Sequence, residues 1–349
     1  MIDFSGTILS SLVIHKCGNK FRNEGFDISQ NLSSLDDSKV KDLLLKYFLS
    51  TFKTNIFYQF KHESNLNYNE IFSYAKAIFD DDTNLYENSI NILKHLYENS
   101  THPQIKSGEI YVVIFKNCVI ENSLTEAIGI FKSENKETYL KISNNNNNFN
   151  VNYERGININ KLDKGCIIFN LNQDSGYKIS IVDTSSSSEA IYWKSDFLNI
   201  TPINDNNLKT ENYMSLIKSF SNDIYNFTNS KKDQIQFLSN SVQYFNENDS
   251  FDLSTFSQEI IKEPEIIERF NNYSKDYKEK LQIDLESKFP ISNSIVKSYK
   301  KKLNKIIRLD NKFEIKFVQA NDIKEDFIEK GFDDEKGLKF YKIYFNEEK

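Results

Sequence analysis

The chain has 349 residues, of which 39% are hydrophobic and 27% are charged, and its formal net charge is −6. This composition is that of a folded protein long enough for two hydrophobic cores, and it excludes a uniformly basic nucleic-acid-binding protein. No apolar run approaches the roughly 18 residues of a membrane span, and the N-terminus lacks the basic and apolar segments of a secretory signal.

The three cysteines lie far apart in apolar, strand-like segments, at Cys17, Cys118 and Cys166. This pattern predicts buried free thiols in a reducing compartment. The four histidines are equally scattered, so no metal site and no cofactor is expected. These features favour a cytoplasmic protein that has no membrane contact.

Helices are predicted first along the chain, after one short strand over residues 12–17. Apolar residues recur at intervals of three or four positions, which indicates helices with one buried face. The helices are predicted from Ser38 onward, over Asn69–Phe79 and over Asn88–Glu98.

From Gly108 the pattern changes to short β-branched and aromatic runs separated by turns rich in Asn, Gly and Ser. These runs predict an antiparallel sheet with strands over residues 110–115, 127–131, 138–142, 167–171, 177–182 and 190–193. The five asparagines at 144–148 are interpreted as a solvated loop inside that sheet.

Helical periodicity returns at Tyr213 and continues to about residue 305, and strands are then predicted over 306–309, 313–318 and 338–345. The predicted fold class is α+β. The first domain, residues 1–205, combines helices with a mainly antiparallel sheet. The second, residues 206–349, is mainly helical with a small terminal sheet, whose last strand could pair across a homodimer.

A basic segment within the second domain contains nine Lys or Arg residues and two acidic residues between Lys288 and Lys316. If residues 292–305 form a helix, apolar side chains occupy one stripe and lysines another. The candidate DNA phosphate-binding residues are Lys297, Lys300, Lys301, Lys302, Lys305 and Arg308. The alternative is a solvated surface helix, paired with the acidic tail of the chain.

A second basic set lies in the first domain and consists of Lys106, Lys132, Lys161, Lys164 and Lys194. Several of these lysines lie within three residues of a glycine, where the backbone can approach a phosphate closely. The alternative is that they occupy turns and pair with nearby acids such as Asp163 and Asp196.

Catalytic motifs are not apparent. Glu134, Lys136 and Asp163 include the residue types of a metal-dependent nuclease, but no partner acid follows at a telling spacing. The chain also lacks a phosphate-binding glycine loop and a recognisable nucleophile motif. We predict that the protein is not an enzyme.

Several short blocks of the sequence resemble, in the same order, the signature blocks of the bacterial nucleoid-associated protein family, the NdpA-like proteins. They are His15–Lys20, His102–Phe115, Ala127–Glu134, Gly156–Asn170, Ala190–Leu198, Phe289–Ile291, Ile307–Asp310 and Glu329–Asp333. The resemblance implies a cytoplasmic protein found at the nucleoid, and it implies no reaction.

Together these observations predict a nucleoid-associated protein that binds double-stranded DNA through its lysine-rich helix. Arginines, which read bases by paired hydrogen bonds, are scarce, so little sequence preference is expected. The alternative is an adaptor that recruits other nucleoid or DNA-processing proteins and does not contact DNA itself.

Overall fold

A computed structural model of the protein describes residues 2–53, 55–145, 148–184, 192–303, 306–317 and 327–347. The chain divides into two compact units, Met1–Ile203 and Asn204–Lys349, which are called unit 1 and unit 2 below. Both contain helices and antiparallel strands, which confirms the predicted α+β class.

Unit 1 contains helices and an extended set of strands. Its strands are β1 (Ile2–Asp3), β2 (Ile8–Cys17), β3 (Phe26–Asp27), β4 (Tyr58–Phe60), β5 (Gly108–Ile120), β6 (Ser123–Ser133), β7 (Glu137–Asn145), β8 (Asn148–Gly156), β9 (Lys164–Phe169), β10 (Lys178–Asp183) and β11 (Ile200–Pro202). Its helices are α1 (Ser38–Leu49), α2 (Glu70–Asp80) and α3 (Leu85–Asn99), with short 3-10 turns at Leu66–Tyr68, Asp82–Asn84 and Gln173–Ser175.

Nine of these strands form one antiparallel sheet: eight follow the order β11-β4-β10-β9-β6-β5-β2-β3, and the ninth, β1, pairs with β5. Successive side chains in β5 point to opposite faces: Ile110 and Val112 enter one hydrophobic core, and Tyr111 and Val113 enter the other. Helices α2 and α3 cover the first core and α1 covers the second. The sheet is therefore buried on both faces, which explains the uninterrupted apolar run in β5.

The three predicted helices are confirmed, with ends shifted by a few residues. Asp37 accepts hydrogen bonds from the backbone amides of Lys39 and Val40 and so caps α1. Asn69 caps α2 in the same way, through the amide of Phe72. These caps satisfy amides that have no partner inside the helix, and thereby fix where each helix begins.

The segment around the asparagine run differs from the prediction. Among the described residues, strands β7 and β8 pair only with each other, as a two-stranded hairpin outside the nine-stranded sheet. Asn144, Asn145 and Asn148 belong to its strands, so the predicted loop over 144–148 is wrong at those positions. The hairpin forms because apolar and polar residues alternate on both sides of the run, a pattern that dominates over the low strand preference of asparagine.

The strand predicted over 190–193 is also wrong for the two residues of it that the structure describes, Tyr192 and Trp193. They begin a π-helical turn, Tyr192–Phe197, in which the amide of Leu198 donates to the carbonyl of Trp193. Because Tyr192, Trp193 and Phe197 are all buried, this turn places three aromatic side chains in one core, which an alternating strand cannot do.

Unit 2 is built mainly of helices, as predicted. They are α4 (Asn206–Thr228), α5 (Lys231–Glu247), α6 (Leu253–Phe256), which continues as a π-helical turn over Ser257–Ile261, α7 (Pro264–Leu281) and α8 (Asn293–Lys302). Three two-stranded antiparallel pairs accompany them: β12 (Ser250–Asp252) with β13 (Lys288–Pro290), β14 (Ile306–Arg308) with β15 (Glu314–Lys316), and β16 (Ile328–Asp333) with β17 (Leu338–Ile343). The terminal strand thus has a partner within its own chain.

Candidate nucleic-acid interface

Helix α8 is held against the core of unit 2 by its buried side. Ile295 and Val296 are buried, and Tyr299 is half-buried against α4. The hydroxyl of Tyr299 lies 2.7 Å from the Glu211 carboxylate and 2.7 Å from the Ser215 hydroxyl. Burial raises the pKa of Tyr299, so the phenol stays protonated and donates to Glu211. These contacts fix which side of α8 faces outward.

The outward side of α8 carries four of the six predicted phosphate-binding residues, and all four are exposed: Lys297, Lys300, Lys301 and Lys302. Within the described part of the chain, none of their ammonium groups is paired with a carboxylate. Lys300 and Lys301 follow Lys297 by three and four positions, so both lie beside it on one side of the helix. The result is a compact group of positive charges open to solvent, which we call the α8 lysine group.

The other two predicted residues lie apart from this group. Lys305 is outside the described residues. Arg308 is in β14, where its guanidinium lies 2.7 Å from the carboxylate of Glu314 on β15. That carboxylate offsets the charge of Arg308, so Arg308 is less available to an external anion than the α8 lysine group.

A cleft of about 560 Å³ lies between α4, α5 and α8. Lys302 of α8 lines it together with Lys218 of α4 and Lys231 at the start of α5. Its apolar wall consists of Met214, Ile217, Ile235, Leu238, Val242 and Leu303. Lys218 and Lys231 were absent from the sequence prediction, because no local pattern shows that three helices bring them to Lys302.

The second basic set does not form one surface. Lys106 donates to the Asn135 side chain, 2.8 Å away, and Lys161 pairs with Glu137 at 2.6 Å; both lysines are exposed. Lys194 is half-buried, with its ammonium group 5.6 Å from the ring centroid of Tyr58. Each of these three lysines already has a neighbour that stabilises its charge.

Lys132 and Lys164 of the same set are buried, with exposed fractions of 0% and 1%. They face each other across β6 and β9, and Lys164 faces Asp183 across β9 and β10. This row continues the apolar row that contains Ile130 and Cys166. Neither ammonium group lies on a surface that DNA could reach, which corrects the phosphate-binding interpretation for these two residues.

Acidic groups balance the buried lysines. The ammonium group of Lys132 lies 2.9 Å from the Glu134 carboxylate, and that of Lys164 lies 3.1 Å from Asp183 and 3.9 Å from Glu134. The ring of Tyr192 lies beneath both ammonium groups, at 5.9 and 5.5 Å. Ion pairing and cation–π contact together offset the cost of removing these charges from water. The network joins β6, β9 and β10.

Asp163 and Asp196, the expected partners of the second set, form no ion pair with these lysines in the described ranges. Asp163 instead accepts hydrogen bonds from the backbone amides of Glu134 and Asn135, at 2.7 and 3.0 Å. Asp163 therefore holds the turn after β6 and keeps Glu134 beside Lys132.

The first signature block also has a structural role. Asn19 is fully buried, and its side-chain amide donates to the carbonyls of His102 and Ile105, at 2.9 and 2.6 Å. These bonds connect the block His15–Lys20 to the block that begins at His102. An apolar residue at this buried position would remove the donor from both carbonyls, which explains why an asparagine suits the position.

The three cysteines are free and buried, as predicted. Burial raises the pKa of Cys118 to about 11 and also raises those of Cys17 and Cys166. Because the thiolate is the reactive form, all three are poor nucleophiles in the folded chain. Among the described residues, no group of three or more His, Cys, Asp or Glu side chains is arranged to hold a metal ion.

Three of the four arginines are already occupied. Arg22 binds Glu24 through two nitrogen–oxygen pairs, at 2.6 and 3.3 Å, and Arg269 binds Asp223 at 2.6 Å. Arg308 binds Glu314, as described above. Three of the four guanidinium groups that could read base edges are thus engaged with carboxylates of the protein, and the fourth, Arg155, is exposed on β8.

The fold and the α8 lysine group define an α+β protein that carries four exposed lysines without a carboxylate partner, among the described residues, on one helix of its second unit. No helix in the described ranges has the length and apolarity required to cross a lipid bilayer.

Comparison with protein families shows that residues 13–336 match the family described as nucleoid-associated protein YejK. Because this match covers most of the chain, the protein belongs to that family, which confirms the resemblance found in the signature blocks. The family description names an association with the nucleoid and no reaction. Among curated proteins, none matches this chain.

Proposed function

We propose that the protein binds double-stranded DNA through the α8 lysine group, with little dependence on base sequence, and that it has no enzymatic activity. The observation that carries the proposal is the set of four exposed ammonium groups on α8 that have no carboxylate partner among the described residues. Each lysine that contacts a phosphate releases counterions from the duplex, and this release favours binding.

The low sequence preference follows from the side chains available. Lysine positions a phosphate as a point charge, whereas arginine reads guanine through two hydrogen bonds in a fixed geometry. Since Arg22, Arg269 and Arg308 are paired with carboxylates, contacts made by the α8 lysine group would be mainly to the DNA backbone.

The test replaces Lys297, Lys300 and Lys301 together by glutamine and measures the affinity for two duplexes of unrelated sequence by fluorescence anisotropy. We expect the wild-type protein to bind both duplexes with similar affinity, and the triple variant to bind both about 10- to 100-fold more weakly at low salt. An unchanged affinity of the variant, or a strong preference of the wild-type protein for one duplex, would contradict the proposal.

The matched control removes three charges elsewhere. Lys39, Lys46 and Lys53 are exposed in unit 1 and have no carboxylate partner within the described ranges. Replacing these three by glutamine changes the net charge by the same amount as the α8 variant. We expect this control to bind DNA nearly as the wild-type protein does, which separates a local contact from a general effect of net charge.

The adaptor alternative is favoured by one observation, the cleft between α4, α5 and α8. Its apolar wall and its three lysines would suit an acidic, partly apolar segment of another nucleoid or DNA-processing protein. Charge reversal at Lys297, Lys301 and Lys305 distinguishes the two functions. Direct DNA binding should collapse in this variant, whereas an adaptor would keep its protein partners.

A further inference from the structure

The hairpin β7–β8 exposes an apolar face. Residues that pair directly across the hairpin point to the same face. Successive residues along each strand point to opposite faces. One face carries five large apolar side chains, each between 62% and 73% exposed: Leu140, Ile142, Phe149, Val151 and Tyr153. The other face is polar, with the Glu154 carboxylate bound by Tyr139 at 2.9 Å and by Lys141 at 2.7 Å.

A two-stranded hairpin is marginally stable in water unless another layer covers its apolar face. Monomeric proteins rarely expose a contiguous apolar patch of this kind, and such patches commonly mark interaction sites. We propose that the apolar face of β7–β8 packs against the same face of a second copy of this chain and forms a homodimer. This proposal does not depend on the proposed DNA binding.

The charge on the face supports a second copy as the occupant. Arg155 is its only charged residue, and its partner across the hairpin is the uncharged Thr138. DNA would find almost no positive charge there to neutralise its phosphates. Two copies of the face can instead pack with the strands of one hairpin running opposite to those of the other. Arg155 of each copy then lies near the asparagine end of the second hairpin, so no like charges are brought together.

The area supports the same occupant. Five large apolar side chains exposed to this degree present roughly 600 Å² per copy. A stable dimer buries about 800 Å² per partner, and Thr138, Asn144 and Arg155 on the same face would supply most of the remainder. A two-fold axis through the central pair, Ile142 and Val151, places Val151 against Val151 of the second copy.

Sedimentation velocity of the full chain tests the proposal. We expect the wild-type protein to sediment as a dimer and Ile142→Glu to sediment as a monomer, because two carboxylates would be buried beside the two-fold axis. The matched control is Asn152→Glu, which adds the same charge to the opposite face of the hairpin. This control should remain a dimer.

Disulfide formation provides a second test that does not depend on how Ile142→Glu folds. Val151→Cys should form a covalent dimer under mild oxidation, whereas Asn152→Cys should not; the native cysteines are buried and do not compete. A wild-type protein that is monomeric at every concentration would overturn the proposal. A dimer that persists in Ile142→Glu would also overturn it, because another surface would then hold the two copies together. The same holds if the apolar face of the hairpin is found covered by unit 2 or by a different protein.

Discussion

Lys132 in unit 1 and Lys297 in unit 2 carry the same ammonium group, but the protein places them in opposite environments. Lys132 is fully buried with Glu134 at 2.9 Å, whereas Lys297 is exposed on α8 with no carboxylate partner among the described residues. The charge of the buried lysine is balanced by a carboxylate inside the fold, whereas the charge of the exposed lysine is available to an external anion. Position and partner, more than residue type, therefore determine which basic residues are candidates for DNA contact.

The largest expected effect is a loss of stability when the buried lysine of this pair, Lys132, is replaced. Lys132→Met should destabilise unit 1 by about 3–5 kcal/mol, because it leaves the Glu134 carboxylate buried without its nearest cation. Trp193 is the only tryptophan of the chain and is buried beside Tyr192, so its fluorescence during urea unfolding reports on unit 1.

The control for this prediction is Lys161→Met, which removes an exposed ion pair with Glu137. We expect no measurable loss of stability, because solvent screens such a pair. Equal effects of the two substitutions would show that burial does not distinguish these lysines.

A smaller loss of stability is expected when a contact that holds α8 against the core of unit 2 is removed. Tyr299→Phe removes the hydroxyl that donates to Glu211 and should destabilise unit 2 by about 1–2 kcal/mol. Urea unfolding followed by far-ultraviolet circular dichroism measures this loss. Tyr225→Phe is the control, since the described structure gives the Tyr225 hydroxyl no hydrogen bond; a similar loss there would mean that Tyr299 does not anchor α8.

The smallest expected effect is a dependence of stability on pH that comes from the buried ring of His15. The ring of His15 accepts a hydrogen bond from the amide of Ser29, at 3.0 Å, and lies 2.9 Å from the Ser89 hydroxyl. Burial lowers the pKa of His15, so the unfolded chain takes up this proton at a higher pH than the folded chain does. Stability from this group is complete above about pH 6.5 and falls as the pH drops below that value.

Unfolding of unit 1, followed by Trp193 fluorescence at several pH values, measures this decline. It should be weaker in His15→Gln, which cannot be protonated, and unchanged in His62→Gln, whose ring is exposed. If His15→Gln declines as steeply as the wild-type protein, another group is responsible for the pH dependence.

Much of the fold could be predicted because its signals are local. Asp37 and the apolar spacing after it mark α1, and the uninterrupted apolar run of β5 marks a strand buried on both faces. The exposed face of α8 could be predicted for the same reason, since its apolar and basic residues lie within three turns of one helix.

The burial of Lys132 and Lys164 could not be predicted, because it depends on strand register. Asp183 faces Lys164 only after β9 and β10 pair, and Glu134 stays beside Lys132 because Asp163, distant in sequence, holds the turn. The grouping of Lys218 and Lys231 with Lys302 depends in the same way on the packing of three helices. The separate hairpin β7–β8 did have a local signal, the alternation of apolar residues on both sides of the asparagines.

The most direct test of DNA contact through α8 is the salt dependence of DNA affinity. The logarithm of the binding constant should fall linearly with the logarithm of the salt concentration, with a slope that reports the number of phosphates contacted. Replacing Lys297, Lys300 and Lys301 by glutamine should make this slope shallower by about 3, whereas the Lys39, Lys46 and Lys53 control should parallel the wild-type line. Parallel lines for the α8 variant and the wild-type protein would show that DNA does not bind at this helix.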